Sequence, residues 1–136
     1  MTEAPEDPRI AVAEHLYTAI AAGEIEEALR WAHPEIVLDW SRSRGPYQGV
    51  YEGHEGARDF ILEAVAVFRD VEYFTDEWIE AGDRLVRIGG IRGIGRQSGV
   101  EISGRGSQIF EFEDGLVRRV TLFQSPDEAL AAAGAD

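Results

Sequence analysis

The C-terminal half of this chain is shaped by two dipeptides. Gly82-Asp83 is a turn signal, and Asp114-Gly115 is a strong hairpin signal; each lies between stretches rich in β-branched and aromatic residues. The spacing predicts strands over Val71 to Ala81, Arg84 to about Arg96, Val100 to Glu113 and Leu116 to Gln124, a four-stranded antiparallel meander. The N-terminal half has a different period. Ile10, Val12, Ala13, Leu16, Tyr17 and Ile20 recur at helical spacing from Pro8 to a stop at Gly23. A shorter helix, Glu24 to Trp31, would bury Ile25, Ala28 and Leu29 and end at His33-Pro34. Ile36 to Trp40 reads as a strand, Ser41 to Gly53 as a loop, and His54 to Arg69 as a third helix. Pro126 opens a last short helix, Asp127 to Ala133, stopped at Gly134.

This order predicts an α+β fold: a cone-like curved antiparallel sheet wrapped on three N-terminal helices, with a short C-terminal helix. Residues 1–8 read as a mobile tail and 9–134 as a single domain, without internal repeat or linker.

Composition removes whole classes of chemistry. The chain has no Cys, which excludes disulfides and thiol nucleophiles, and no Lys, which excludes Schiff bases and a lysine-bearing phosphate loop. Its formal net charge of -13 repels phosphate backbones and anionic lipid, so neither nucleic acid nor membrane is an expected partner. No apolar run approaches the roughly 20 residues that span a bilayer, and the acidic N-terminus is no secretory signal, which points to the cytoplasm. Abundant Arg, Ala and Gly without Lys or Asn suit a bacterium of high genomic GC content. His15, His33 and His54 are too far apart in sequence to form a site, so no metal or cofactor is expected, and His54 reads as a helix cap. The run Gly89-Gly90-Ile91-Arg92-Gly93-Ile94-Gly95 lies inside a strand pattern, where it marks bulges or close backbone approach rather than a nucleotide loop.

Several short stretches carry a family resemblance. They are Tyr-Thr-Ala-Ile-Ala-Ala-Gly-Glu (17–24), His-Pro-Glu-Ile-Val-Leu-Asp-Trp (33–40), Tyr-Glu-Gly-His-Glu-Gly (51–56), Ala-Gly-Asp (81–83), Phe-Glu-Phe-Glu-Asp-Gly-Leu-Val (110–117) and Asp-Glu-Ala-Leu-Ala-Ala-Ala-Gly (127–134). In this order they resemble the SnoaL-like polyketide cyclases and ketosteroid-isomerase-like proteins of the nuclear-transport-factor-two-like superfamily. The resemblance implies the fold and a small-molecule pocket, but no single reaction, because the superfamily mixes isomerases, cyclases, epoxide hydrolases, dehydratases and non-catalytic modules. The isomerase positions fall on Trp40 for the base, Leu16 for the helix tyrosine and Gln108 for the late-strand acid, so all three are lost. Tyr17 and Asp39 each stand one residue away. On a strand that offset turns a side chain to the opposite face, so Asp39 is a candidate base only if a bulge turns it inward. An epoxide-hydrolase relay finds no inward pair of aspartates.

The same register and strand alternation predict a ligand-binding lining of Trp40, Phe60, Val86, Ile88, Arg92, Gln108, Phe110, Arg119, Thr121 and Phe123. Leu16 and Ile20 would close it from the first helix, and the Tyr47–Tyr51 loop would cover the mouth. Arg92 or Arg119, with Gln108, would grip a small hydrophobic ligand bearing a polar or anionic group. The opposite face would carry Leu85, Ile91, Ile109, Val120 and Leu122 among Arg87, Ser107, Glu111 and Arg118, a surface suited to a homodimer. Two functional readings follow. One is proton-transfer chemistry on a hydrophobic carbonyl or acidic compound; the other is a non-catalytic ligand-binding or dimerisation module lacking the family acid/base.

Overall fold

A computed structural model describes residues 7–44 and 48–134. Helix α1 (Pro8–Ala22) begins where Asp7 caps it, its carboxylate accepting from the Arg9 N–H at 2.9 Å, and ends where Gly23 turns left-handed at φ 72°. Next come α2 (Ile25–Arg30), strands β1 (Ala32–Trp40) and β2 (Gly49–Glu52), and α3 (Gly53–Val67). The meander is β3 (Phe68–Ala81), β4 (Arg84–Gly95), β5 (Glu101–Glu113) and β6 (Leu116–Phe123), followed by α4 (Pro126–Ala133). The α+β class, the meander and the helix order agree with the expectation from sequence.

The six strands form one curled, unclosed sheet in the order β2-β1-β6-β5-β4-β3. All neighbours are antiparallel except β1 and β6, which run parallel. β2 lies inside the stretch expected to be loop; its four residues pair with the end of β1. β1 also starts earlier than expected, because His33-Pro34 is taken into the strand instead of ending a helix.

Helices α1 to α3 fill the concave face. There Leu38, Val120, Phe110 and Leu85 sit side by side across β1, β6, β5 and β4, all of them buried, with Leu16, Ile20, Phe60 and Ile61 packed over them. The opposite face carries a second cluster, Val86, Ile109 and Phe123, which Ala129 of α4 helps to cover.

This arrangement corrects the inward and outward assignment on two strands. Residues directly opposite in a ladder share a face, and Phe110 stands opposite both Leu85 and Val120. Leu85, Arg87, Ile91, Val120 and Leu122 therefore face the helices, while Val86, Ile88, Arg92, Arg119 and Thr121 point to the other side. On β6 the cause is a bulge. Glu113 and Phe112 pair with Leu116 and Val117 in normal hairpin register, but Glu111 then pairs with Arg119, so Arg118 is skipped and every later residue changes face. On β4 the cause is that both faces are covered. Leu85, Val86 and Arg87 are all buried, and such a strand shows no alternation to read.

Candidate functional site

The concave face is not completely filled. Toward the open end of the sheet, a cavity of about 270 Å³ lies between Trp40 of β1, Tyr73 of β3, Arg87 of β4, Gln108 of β5 and Leu122 of β6. Gly104 and Gly106 of β5 line it too, and they leave space where side chains would otherwise stand. A second cavity, about 340 Å³, separates α1 from β3; α1 lines it with Glu14 and Tyr17 beside the small residues Ala13, Thr18, Ala21 and Ala22. Tyr73 and Arg87 border both cavities.

Arg87 is the central polar residue and is 1 % exposed. Its Nε donates to Thr75 Oγ1 at 2.9 Å and its Nη1 to Gln108 Oε1 at 2.7 Å. Its Nη2 donates to the backbone oxygens of Phe74 at 2.9 Å and Gly90 at 3.3 Å. The guanidinium lies over the Tyr17 ring at 4.9 Å and near that of Tyr73 at 5.9 Å, and aromatic faces favour a cation. Every one of these partners is neutral. Among the described residues Arg44, Arg87 and Arg96 form no carboxylate ion pair, and of these only Arg87 is buried. Sequence reasoning placed Arg87 on the outer face and so missed it, along with Tyr73 and Leu122. Pairing β4 to Gln108 and Phe110 would have found it.

The expected site residues divide into three groups. Trp40 and Gln108 line the 270 Å³ cavity; Phe123, expected to point inward, is carried to the opposite face by the bulge and only touches the rim of that cavity. Leu16, Ile20, Phe60 and Phe110 are brought to the same concave face but are core residues, Phe60 packing edge-on to Trp40 with ring centres 5.0 Å apart. Val86, Ile88, Arg92, Arg119 and Thr121 are carried to the opposite face. There Arg92 pairs with Glu72 at 3.3 Å and Arg119 with Asp39 at 3.0 Å. Of the loop expected to cover the mouth, Tyr47 lies outside the described residues, and Val50 and Tyr51 belong to β2.

No bulge turns Asp39 inward. It stands opposite Thr121 on the outer face and is 8 % exposed. Its carboxylate accepts from Ser41 Oγ at 2.6 Å, from the Ser41 N–H at 3.1 Å and from Arg119 Nη2 at 3.0 Å. Burial alone would raise its pKa, but the two Ser41 bonds and the charges of Arg119 and Arg42 together outweigh that and hold the carboxyl below its ordinary value. Such a group is a poor base. Its stabilising effect is complete above the unfolded pKa, about 3.9, and is lost as pH falls through the folded value. The stability difference between the parent and Asp39→Asn should therefore be full at pH 7 and shrink below about pH 4. Urea unfolding at pH 7 and pH 3 checks this; an undiminished difference at pH 3 would contradict the assignment.

The histidines hold the scaffold. His54 Nε2 lies 2.9 Å from the Ala32 carbonyl, tying α3 to β1, so it does not cap its helix. His15 stacks on Trp31 at 4.5 Å. His33 Nε2 faces Glu113 at 3.5 Å and Asp114 at 3.8 Å, a trio whose donor atoms could hold a cation. However, His33 Nδ1 accepts from the Glu35 N–H at 3.0 Å. A neutral ring with Nδ1 as acceptor must carry its proton on Nε2, so the nitrogen facing the carboxylates is a donor, not a ligand.

No curated protein matches the chain by sequence. The family model of the SnoaL-like domain matches residues 13–120. Among solved structures, TerC co-crystallised with polyporic acid is similar at 20% identity and TM-score 0.74, covering 94% of this chain and 99% of that one. The Mycobacterium tuberculosis protein RV0760c, in complex with estradiol-17β-hemisuccinate, is similar at 16% identity and TM-score 0.73, covering 90% and 97%. A putative polyketide cyclase from Xanthomonas campestris pv. campestris is similar at 17% identity and TM-score 0.69, covering 93% and 96%. The family model takes in all of β1 and the meander through Val120, and with them Arg87 and Gln108. The chain belongs to the SnoaL-like domain family.

Proposed function

We propose that this protein binds a small, mainly apolar molecule with one polar or anionic group in the cavity at the open end of the sheet, and that it does so without acid/base catalysis. One observation carries the reading. The described residues lining that cavity include Arg44, Arg87 and Arg105 but no carboxylate and no imidazole. Proton transfer at carbon needs a base within hydrogen-bond reach of the substrate. Asp39, the only candidate the sequence offered, is on the other face and engaged by Ser41 and Arg119. Apolar walls with a few converging polar groups are the usual make-up of a small-ligand site. Two of the similar structures hold small organic molecules, which supports the same reading.

NMR titration with a neutral apolar probe, 2-ethylnaphthalene, tests it. Saturable shifts should centre on the Trp40 indole, the Leu122 methyls and the Gln108 side-chain amide. The reading fails if the shifts are non-saturable, or if they centre on α4 and the outer face. Turnover of a carbonyl compound that disappears in Asp39→Asn would restore the enzyme reading.

A homodimer through the convex sheet face belongs to this proposal. Where α4 crosses that face, Val86, Ile109 and Phe123 are already buried within the chain, so a second copy would have to meet the strand surface beyond α4. A monomer by light scattering at micromolar concentration would remove the dimer.

A further inference from the structure

From the donors around Arg87 we infer that the ligand's head group is a planar anion with acceptor oxygens only, a carboxylate or a phenolate, and that Gln108 sets this preference. The inference rests on the cavity being the ligand site. A guanidinium can only donate hydrogen bonds, so the Gln108 atom facing it must be the amide oxygen, as found at 2.7 Å. That fixes the other end of the amide. Gln108 Nε2 is a donor on a side chain only 7 % exposed, it belongs to the cavity lining, and among the described residues it has no hydrogen-bond partner.

Arg87 contributes a donor of its own. Four of its five N–H groups are taken by Thr75, Gln108, Phe74 and Gly90, which leaves one on Nη1 beside the amide. The inner end of the cavity therefore presents N–H groups and no acceptor from these two side chains. The charge agrees. Arg87 has no carboxylate partner, whereas Arg105 at the rim already pairs with Asp76. Glu14 and Glu72 line the adjoining cavity that Arg87 also borders, but neither pairs with Arg87, and Glu72 is engaged by Arg92. A neutral ligand would leave the buried cation uncompensated, while an anion supplies the missing charge and two acceptors together. In a chain of net charge -13, anions are repelled by the surface as a whole, so preference for one has to come from a local arrangement of this kind.

The test compares two probes of similar shape, 2-naphthoate and 2-ethylnaphthalene, by calorimetric or fluorescence titration of the intact protein. The parent should bind naphthoate at least tenfold more tightly. Gln108→Glu keeps the shape but gives Arg87 an internal counter-ion and turns acceptor oxygens toward the cavity. Its preference for naphthoate over ethylnaphthalene should fall at least tenfold. Gly104→Asp adds a carboxylate to the lining at a position where nothing lies within 4 Å of a new Cβ, so it gives the same reading without disturbing the core; naphthoate should weaken at least threefold. Equal binding of both probes by the parent overturns the inference and leaves the cavity reading intact. An unchanged preference for naphthoate in a folded Gln108→Glu variant also overturns it. If neither probe binds, the cavity reading fails and takes the inference with it.

Discussion

Replacing Phe110 by alanine should lower the free energy of unfolding by roughly 3–5 kcal/mol, the cost of deleting a large aromatic from a core that cannot collapse around the gap. Phe110 is fully buried between Leu85 and Val120 in the ladder, and its ring contacts those of Tyr17 at 5.3 Å and Trp78 at 5.5 Å. Its neighbours come from α1, β3, β4 and β6 at once, so no single element can move in to fill the space. Urea unfolding followed by circular dichroism measures the loss. A cost under 1 kcal/mol would mean that the concave face is far more plastic than its burial implies. Because most domains are stable by only about 5–15 kcal/mol, this variant should also unfold at a visibly lower temperature.

Gly89→Ala should be nearly as damaging, for a reason confined to the backbone. A Cβ at Gly89 would stand 2.1 Å from the Phe74 carbonyl oxygen and 3.0 Å from Thr75 Cα, both of them main-chain atoms of the adjacent strand. The close approach comes from the bulge at Asp76, where β3 skips a residue between Thr75 and Glu77 and bends onto β4. The Phe74 oxygen is also an acceptor for Arg87, so pushing it away loosens the buried guanidinium. Overpacking of this type costs roughly 1–3 kcal/mol or more, and here the upper part of that range is expected. Gly104→Ala is the control, since it meets nothing within 4 Å and should change stability by less than about 0.5 kcal/mol. Similar melting of the two variants would refute the steric account.

The fold was legible in this sequence because its strongest signals are local. Gly82-Asp83 and Asp114-Gly115 fix two hairpins, and Pro8, Gly23, Pro126 and Gly134 bound two helices at the residues where α1 and α4 begin and stop. The glycine run on β4 was also informative, since Gly89 and Gly90 are the points at which β3 and β5 come too close for a side chain. The site was less legible because a cavity lining depends on face, and face depends on register. One bulge residue, Arg118, reverses Arg119, Thr121 and all that follow. On β4 the sequence Leu85-Val86-Arg87-Ile88 has no polar alternation, and an arginine there reads as solvent-facing until the strand is paired with Gln108. Trp40 and Gln108 are placed on the concave face by counting from Gly23 and back from Phe110 to the family positions, since Ser107 to Phe110 are all buried and show no alternation to read.

The parallel pairing of β1 with β6 has a consequence for how the chain reaches this structure. Every other neighbouring pair is joined by a turn or a short segment, so β3 to β6 can zip up hairpin by hairpin. Val37, by contrast, must find Arg119, and closing a loop of about 80 residues costs several times RT in entropy before any contact compensates it. The meander is thus the natural early structure, and β1 arrives late, bringing Trp40 with it. Until that step the polar pair at the heart of the concave face has no aromatic wall beside it. A pulse-labelling exchange experiment would see protection in β4 and β5 first and at Leu38 and Trp40 last, so the binding cavity is among the last parts of the molecule to be built.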